Sequence, residues 1–145
     1  KFYKTFFKKV HNIMTDDGIC LLHTIGSVDP PGPMQPFIQK RIFPGGIIPS
    51  LSDLVKPIEK TGLIIADCET LIHHYDKTLK AWLNRFLKNK EKAKFLYNKE
   101  FVRMWEFYLA SCSAAFKFRD LVVYQLQLVK NFTAPPSNRR NYIYQ

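Results

Sequence analysis

The amino-acid sequence predicts an α/β fold, and three observations carry that expectation. Amphipathic helical stripes alternate with short, apolar-rich segments of strand length. The alternation occurs twice in the first half of the chain, at residues 2–25 and 50–69. A third apolar segment, 121–129, follows a long helical stretch, so each strand candidate is preceded by a helix. Helix, short turn and buried strand in repetition is the pattern of sheets covered by helices.

Phe2, Tyr3, Phe6, Phe7, Val10, Ile13 and Met14 recur at helical spacing with Lys4, Lys8, Lys9 and Asn12 between them, which makes residues 2–14 an amphipathic helix. Asp17-Gly18 ends it. Residues 19–25 are almost continuously apolar, as in a strand buried on both faces of a parallel sheet. The Pro/Gly-rich stretch 26–36 reads as a loop at the carboxyl end of that strand. Ligands of open α/β sheets collect at such ends, so His23, Ile25 and the loop mark a candidate site.

Residues 37–43 suit a short helix broken by Pro44-Gly45-Gly46. A further helix is expected to start with Ser50 or Ser52 as N-cap, bury Leu54, Val55 and Ile58, and close at Gly62. Residues 63–69 form the second strand. Leu79, Trp82, Leu83, Phe86 and Leu87 then define a helical stripe. Residues 101–116 are apolar on nearly every side, which predicts a helix that is buried or lines an apolar channel. Alternation in the later part of 121–129 gives the third strand.

The chain has 145 residues, 46% of them hydrophobic, enough for a packed core and against disorder. Its 22 Lys and Arg against 12 Asp and Glu give a formal charge of +10, which favours an anionic partner. Charge alone does not choose between nucleic acid and an acidic membrane surface. The densest basic stretch, 77–103, holds nine Lys or Arg and two Glu. No apolar run approaches the ~20 residues of a spanning helix, so membrane contact is expected to be peripheral. Cys20, Cys68 and Cys112 form no C-x-x-C pair, and His73-His74 lacks the i, i+4 spacing of helical metal ligands, so no metal site is expected. The opening Lys1-Phe2-Tyr3, already inside a helix and without Met, suggests a fragment.

Several stretches resemble, in order, the cyclopropane-fatty-acyl-phospholipid synthases and the related mycolic acid cyclopropane synthases. They are Leu21-Leu22-His23-Thr24-Ile25-Gly26, Phe37-Ile38, and Ile42-Phe43-Pro44-Gly45-Gly46-Ile47-Ile48-Pro49-Ser50. Further on come His74-Tyr75-Asp76-Lys77-Thr78-Leu79-Lys80-Ala81-Trp82 and Arg103-Met104-Trp105-Glu106-Phe107-Tyr108-Leu109. The resemblance implies a class I methyltransferase with a Rossmann-like sheet whose last strand is antiparallel to its neighbours. On that plan 19–25, 63–69 and 121–129 are strands 5, 6 and 7, with the long helices as a lid. Residues 1–130 would be the C-terminal, lipid-binding part of the domain and 131–145 an extension. No glycine-rich cofactor loop is present, so S-adenosylmethionine is expected to be bound mainly by sequence that lies outside this chain.

The family reaction implied is transfer of a methyl group from S-adenosylmethionine to the cis double bond of a phospholipid acyl chain, through a carbocation that loses a proton as the ring closes. Aromatic faces shield and stabilise such a cation. Phe43, Trp82, Phe86, Trp105, Tyr108 and Phe116 are the expected lipid-pocket residues, with Phe107 as a further wall candidate. The resemblance also implies a bound hydrogencarbonate as proton acceptor, held by His23, the backbone of Ile25, and Tyr75. The Cys and Glu of that site are expected outside this chain. On residue type alone, His23 would more often be a satisfied core histidine, and Tyr75 a packing residue.

The protein is therefore expected in the cytoplasm, peripheral at the inner face of the membrane. The chain by itself is expected to be inactive and, because a sheet edge is left unpaired, to dimerise, swap elements or be less stable than its length suggests. The alternative is a nonenzymatic basic module that binds nucleic acid or an anionic membrane. No nucleic-acid motif supports the former, and the aromatics lie on apolar stripes rather than among the basic residues, so nucleic acid is not expected as a partner.

Overall fold

The computed structural model describes residues 2–134 and 140–143. Residues 135–139, which include Pro135, Pro136, Ser137 and Asn138 of the expected extension, and 144–145 lie outside the described residues, as does Lys1. The described chain folds as α1 (Tyr3–Ile13), β1 (Ile19–Ser27), α2 (Pro36–Arg41), α3 (Leu51–Glu59), β2 (Ile64–Leu71), α4 (His74–Lys88), α5 (Lys90–Leu96), α6 (Lys99–Phe118) and β3 (Leu121–Val129), then a 3-10 turn at Arg140–Ile143.

The sheet order is β1-β3-β2, and β3 runs antiparallel to both neighbours. This is the α/β arrangement expected, with the last strand in sequence inserted between the two earlier ones. Ile19 pairs with Val129 and Ile25 with Val123 on one side; Ile65 pairs with Leu128 and Cys68 with Leu126 on the other. An irregularity between Ile65 and Asp67 shifts the second register. The sequence expectation for β1 needs correction. Its described pairing is antiparallel, and it is not buried on both faces: Ile19, Leu21, His23 and Ile25 lie on an exposed face. An apolar run cannot reveal that a layer covers only one of its two faces.

One face of the sheet carries the main core. Phe7 of α1, Leu54 and Ile58 of α3, and Leu63 pack against Val122, Tyr124, Leu126 and Leu128. These four β3 residues are two apart, so they share a face of the pleat. Ser50, not Ser52, caps α3. Its backbone N–H and its hydroxyl both donate to Asp53 Oδ2 at 3.0 Å, satisfying an amide left over at the helix start. Gly62 then takes φ +77° to turn the chain into β2. Gly26 has a different task. A Cβ there would lie 2.2 Å from the Tyr124 ring, so only glycine lets that ring cross β1 and donate from its hydroxyl to the Ser27 carbonyl at 2.8 Å.

The opposite face is covered in two unlike halves. Leu79 of α4, Leu109 and Phe116 of α6 and Val123 of β3 make a second, smaller core. Beyond it the face is polar, with His23, Asp67, Glu69, Gln125 and Gln127. There Arg140 reaches Asp67 at 2.8 Å and Glu69 at 3.5 Å, so the described end of the chain lies against β2.

Candidate functional site

A cavity of about 650 Å³ opens at the carboxyl end of β1, between the sheet and the α4–α6 pair. Three groups of residues build it. His23, Thr24 and Ile25 come from β1, and Leu121 from the start of β3. Tyr75, Leu79 and Trp82 come from α4, and Tyr108, Cys112 and Phe116 from α6. Met34, Ile38, Phe43, Gly46, Ile47, Ile48 and Pro49, from α2 and its flanking loops, form the third side.

The spacing within the helices explains the two helical walls. Residues 75, 79 and 82 are four and three apart, and 108, 112 and 116 are successive fours, so each set stacks along one helical face. The rings then lock together. Tyr75 stacks on Phe116 with centroids 5.4 Å apart, and Phe43 meets Tyr108 edge-on at 6.0 Å. His73, in the left-handed region at φ 61°, starts α4 and donates from Nδ1 to the Phe116 carbonyl at 3.3 Å. Below the cavity, buried Asp76 ties the helices: its Oδ1 accepts from Ser113 Oγ and its Oδ2 from Lys80 Nζ, both at 2.7 Å. The bonds from Lys80 and then Ser113 hold its carboxyl below the ordinary carboxylate range.

Few polar groups face this apolar space. Gln125 Nε2 donates to His23 Nδ1 at 3.1 Å, which places the proton of the neutral imidazole on Nε2 as a second, distinct donor. Burial, and next the nearby Cys112, push the Tyr108 hydroxyl up. Burial also pushes the Cys112 thiol up to about 11, so at neutral pH it is an uncharged part of the wall and not a nucleophile.

Of the residues singled out in the sequence, His23, Ile25, Phe43, Tyr75, Trp82, Tyr108 and Phe116 line this one cavity. Phe86 and Trp105 do not; both pack against the smaller core. Phe107 is exposed and meets Phe37 edge-on at 4.8 Å. Sequence reasoning missed Met34, Ile47 and Ile48, which sit in irregular backbone, and Leu79 and Cys112, each one helical turn beyond a residue it did select.

This geometry can be set beside known proteins. Residues 1–126 match the sequence profile of the mycolic acid cyclopropane synthetases. The chain belongs to that family. The cyclopropane-fatty-acyl-phospholipid synthase of Escherichia coli K12 is 36% identical over 126 residues, covering 87% of this chain and 33% of its own. The tuberculostearic acid methyltransferase UfaA1 of Mycobacterium tuberculosis is 40% identical over 104 residues, covering 70% of this chain and 24% of its own. The solved mycolic acid cyclopropane synthase CmaA1, in complex with SAH and CTAB, superposes with a TM-score of 0.79 at 29% identity, covering 88% of this chain and 49% of that one. The chain thus spans about a third of the length of the E. coli relative and half of the solved cyclopropane synthase.

Proposed function

We propose that the chain is the acyl-binding side of an S-adenosylmethionine-dependent methyltransferase that transfers a one-carbon unit to the cis double bond of phospholipid acyl chains. The observation that carries this reading is the aromatic-walled cavity with His23 and Tyr75 among its lining residues. An acyl chain suits the apolar walls, and a cation formed on it would meet the rings of Trp82, Tyr108 and Phe116.

The described residues offer no cradle for the cofactor. Among the described residues no glycine-rich turn joins a strand to a following helix; Gly45 and Gly46 lie between α2 and α3, and the space above Gly26 is filled by Tyr124. The described residues alone are therefore not expected to turn over. Hydrogencarbonate fits the donor set better: the His23 Nε2–H and the Tyr75 hydroxyl both suit an anion, with the Ile25 backbone as a third partner. When bound, that ion supplies the base for the proton lost as the ring closes. His23 and Tyr75 hold it, and Gln125 fixes the imidazole tautomer.

The protein on this reading works at a membrane surface, and no helix among the described residues is long and apolar enough to cross a membrane. The outer edge of β1, which in the described residues pairs only with β3 along 19–26, supports a homodimer. Sedimentation equilibrium that finds only monomer would remove the dimer.

Acyl binding is tested by fluorescence, because the chain has two tryptophans and only one lines the cavity. In Trp105→Phe, 9,10-dibromostearate is expected to quench Trp82 saturably. In Trp82→Phe, free dibromostearate settled in the cavity should quench Trp105, which does not line it, less than it quenches Trp82. Equal, non-saturating quenching of both rings would refute an acyl site here.

A further inference from the structure

A file of aromatic rings leads away from the cavity along α6. From the cavity residue Tyr108, ring centroids step 5.1 Å to Trp105, 5.7 Å to Phe101 and 4.3 Å to Tyr97. These positions are three, four and four residues apart, so they lie along one side of the helix and its entry turn. The file ends in water. Tyr97 is 64% exposed, Leu96 61% and Phe95 89%, three consecutive large apolar side chains at the corner between α5 and α6.

The charge around this corner is one-sided. Between residues 85 and 103 stand seven Lys or Arg and two Glu. Two of the seven are ion-paired, Lys90 with Glu106 at 2.8 Å and Lys94 with Glu91 at 3.6 Å. Arg85, Lys88, Lys92, Lys99 and Arg103 have no ion pair among the described residues. Three adjacent exposed apolar side chains are unfavourable in water, and uncompensated cations beside them are unfavourable in an apolar protein interface. A bilayer interface with anionic headgroups accommodates both at one depth.

We infer that the corner at residues 95–97 inserts into the interface of an anionic phospholipid bilayer, and that the ring file from Tyr97 to Tyr108 is the path by which an acyl chain reaches the cavity. The second half rests on the acyl-binding reading above; the first does not. An acidic soluble protein would need the cations but would leave Phe95 in water or against a flat surface.

The test uses the whole chain and vesicles of phosphatidylglycerol mixed with phosphatidylcholine. Co-sedimentation is expected with these and not with pure phosphatidylcholine, and Phe95→Ser with Leu96→Ser should weaken it by about tenfold or more. These side chains are exposed, so circular dichroism should find the fold unchanged. In a chain carrying Phe95→Trp, Trp82→Phe and Trp105→Phe, the single reporter at 95 should shift to the blue and be quenched by acyl-brominated lipid. Binding that persists while this reporter stays unshifted would overturn insertion and leave only charge-driven adsorption by the cations. For the path, Trp105 in the Trp82→Phe chain should be quenched by acyl-brominated phosphatidylglycerol and protected in the Ser double variant. Quenching at 95 without quenching at 105 would overturn the path and leave the tip. Failure of dibromostearate to quench Trp82, with the tip still inserting, would sink the acyl-site reading alone.

Discussion

The two faces of one three-stranded sheet are built from the same strand, yet one is closed and the other hollow. The even-numbered residues of β3, from Val122 to Leu128, are buried against α1 and α3. Of its odd-numbered residues, Val123 meets a small core, Leu121 borders a 650 Å³ cavity, and Gln125 and Gln127 face the polar half. The difference lies in what each layer brings. On the first face short helices lay Phe7, Leu54 and Ile58 directly on the strands. On the second, α4 and α6 pack chiefly on each other, and Asp76 with Lys80 and Ser113 holds them as a pair while rings line the gap they leave. Stability is concentrated on one side and binding capacity on the other.

That contrast is most sharply broken by truncating the closed face. Leu126 has no exposed surface, so Leu126→Ala removes buried methyl groups where rigid neighbours cannot collapse, and should cost about 2–5 kcal/mol. Urea unfolding measures it. A loss below about 1 kcal/mol, within the range of a surface change, would mean that the α1–α3 face is not the principal core.

How far this contrast can be read from sequence depends on periodicity. The helical stripes of α1, α3 and α4, and β3 at 121–129, are legible because burial on one side imprints a period, whereas α6 is legible from the length of its apolar run. The apolar run of β1 carries no such asymmetry, so its exposed face at Ile19, Leu21 and Ile25 is invisible. Within the site, the motif around His74-Tyr75 and the strand segment Leu22-His23-Thr24-Ile25 identify residues that do share the cavity. Trp82 and Phe86 lie one turn apart on one stripe and look equivalent, as do Trp105 and Tyr108. Only the approach of α4 to α6 decides that Trp82 and Tyr108 line the cavity while Phe86 and Trp105, half-buried, pack at the margin of the smaller core. The loop side, with Met34, Ile47 and Ile48, has no period to read.

The link between α4 and α6 gives an intermediate effect with a definite pH dependence. Because hydrogen bonds from Lys80 and Ser113 depress the Asp76 carboxyl, its contribution to stability is fully present above the ordinary carboxylate pKa. It declines as pH falls through that value and is gone below the depressed one. Ser113→Ala removes one of the two bonds, so it should lower the Tm at pH 7, and the gap to the unsubstituted chain should narrow below about pH 4. Thermal scans across that range decide it. A gap that is constant with pH would show that Ser113 acts through packing alone.

The smallest effect concerns the hollow itself, where a half-buried group remains reachable. Cys112 lines the cavity, and desolvation holds its thiol at about 11, against an ordinary thiol near 9. A thiol held that high carries about a hundredfold less thiolate at pH 8 than an ordinary one, and alkylation requires the thiolate. Burial, and next Asp67, push the Cys68 thiol up as well, but Cys68 is exposed, so iodoacetamide should modify it before Cys112. Cys112 should nevertheless react as pH rises, because a cavity admits the reagent where a close-packed core does not. An acyl ligand that fills the space should then slow Cys112 and leave Cys68 unchanged. Mass spectrometry of the two peptides separates these cases: a Cys112 that labels as fast as Cys68 at pH 8 would mean the site is wet. One that stays silent as pH approaches 11 would mean it is closed, and the two faces of the sheet would then be alike.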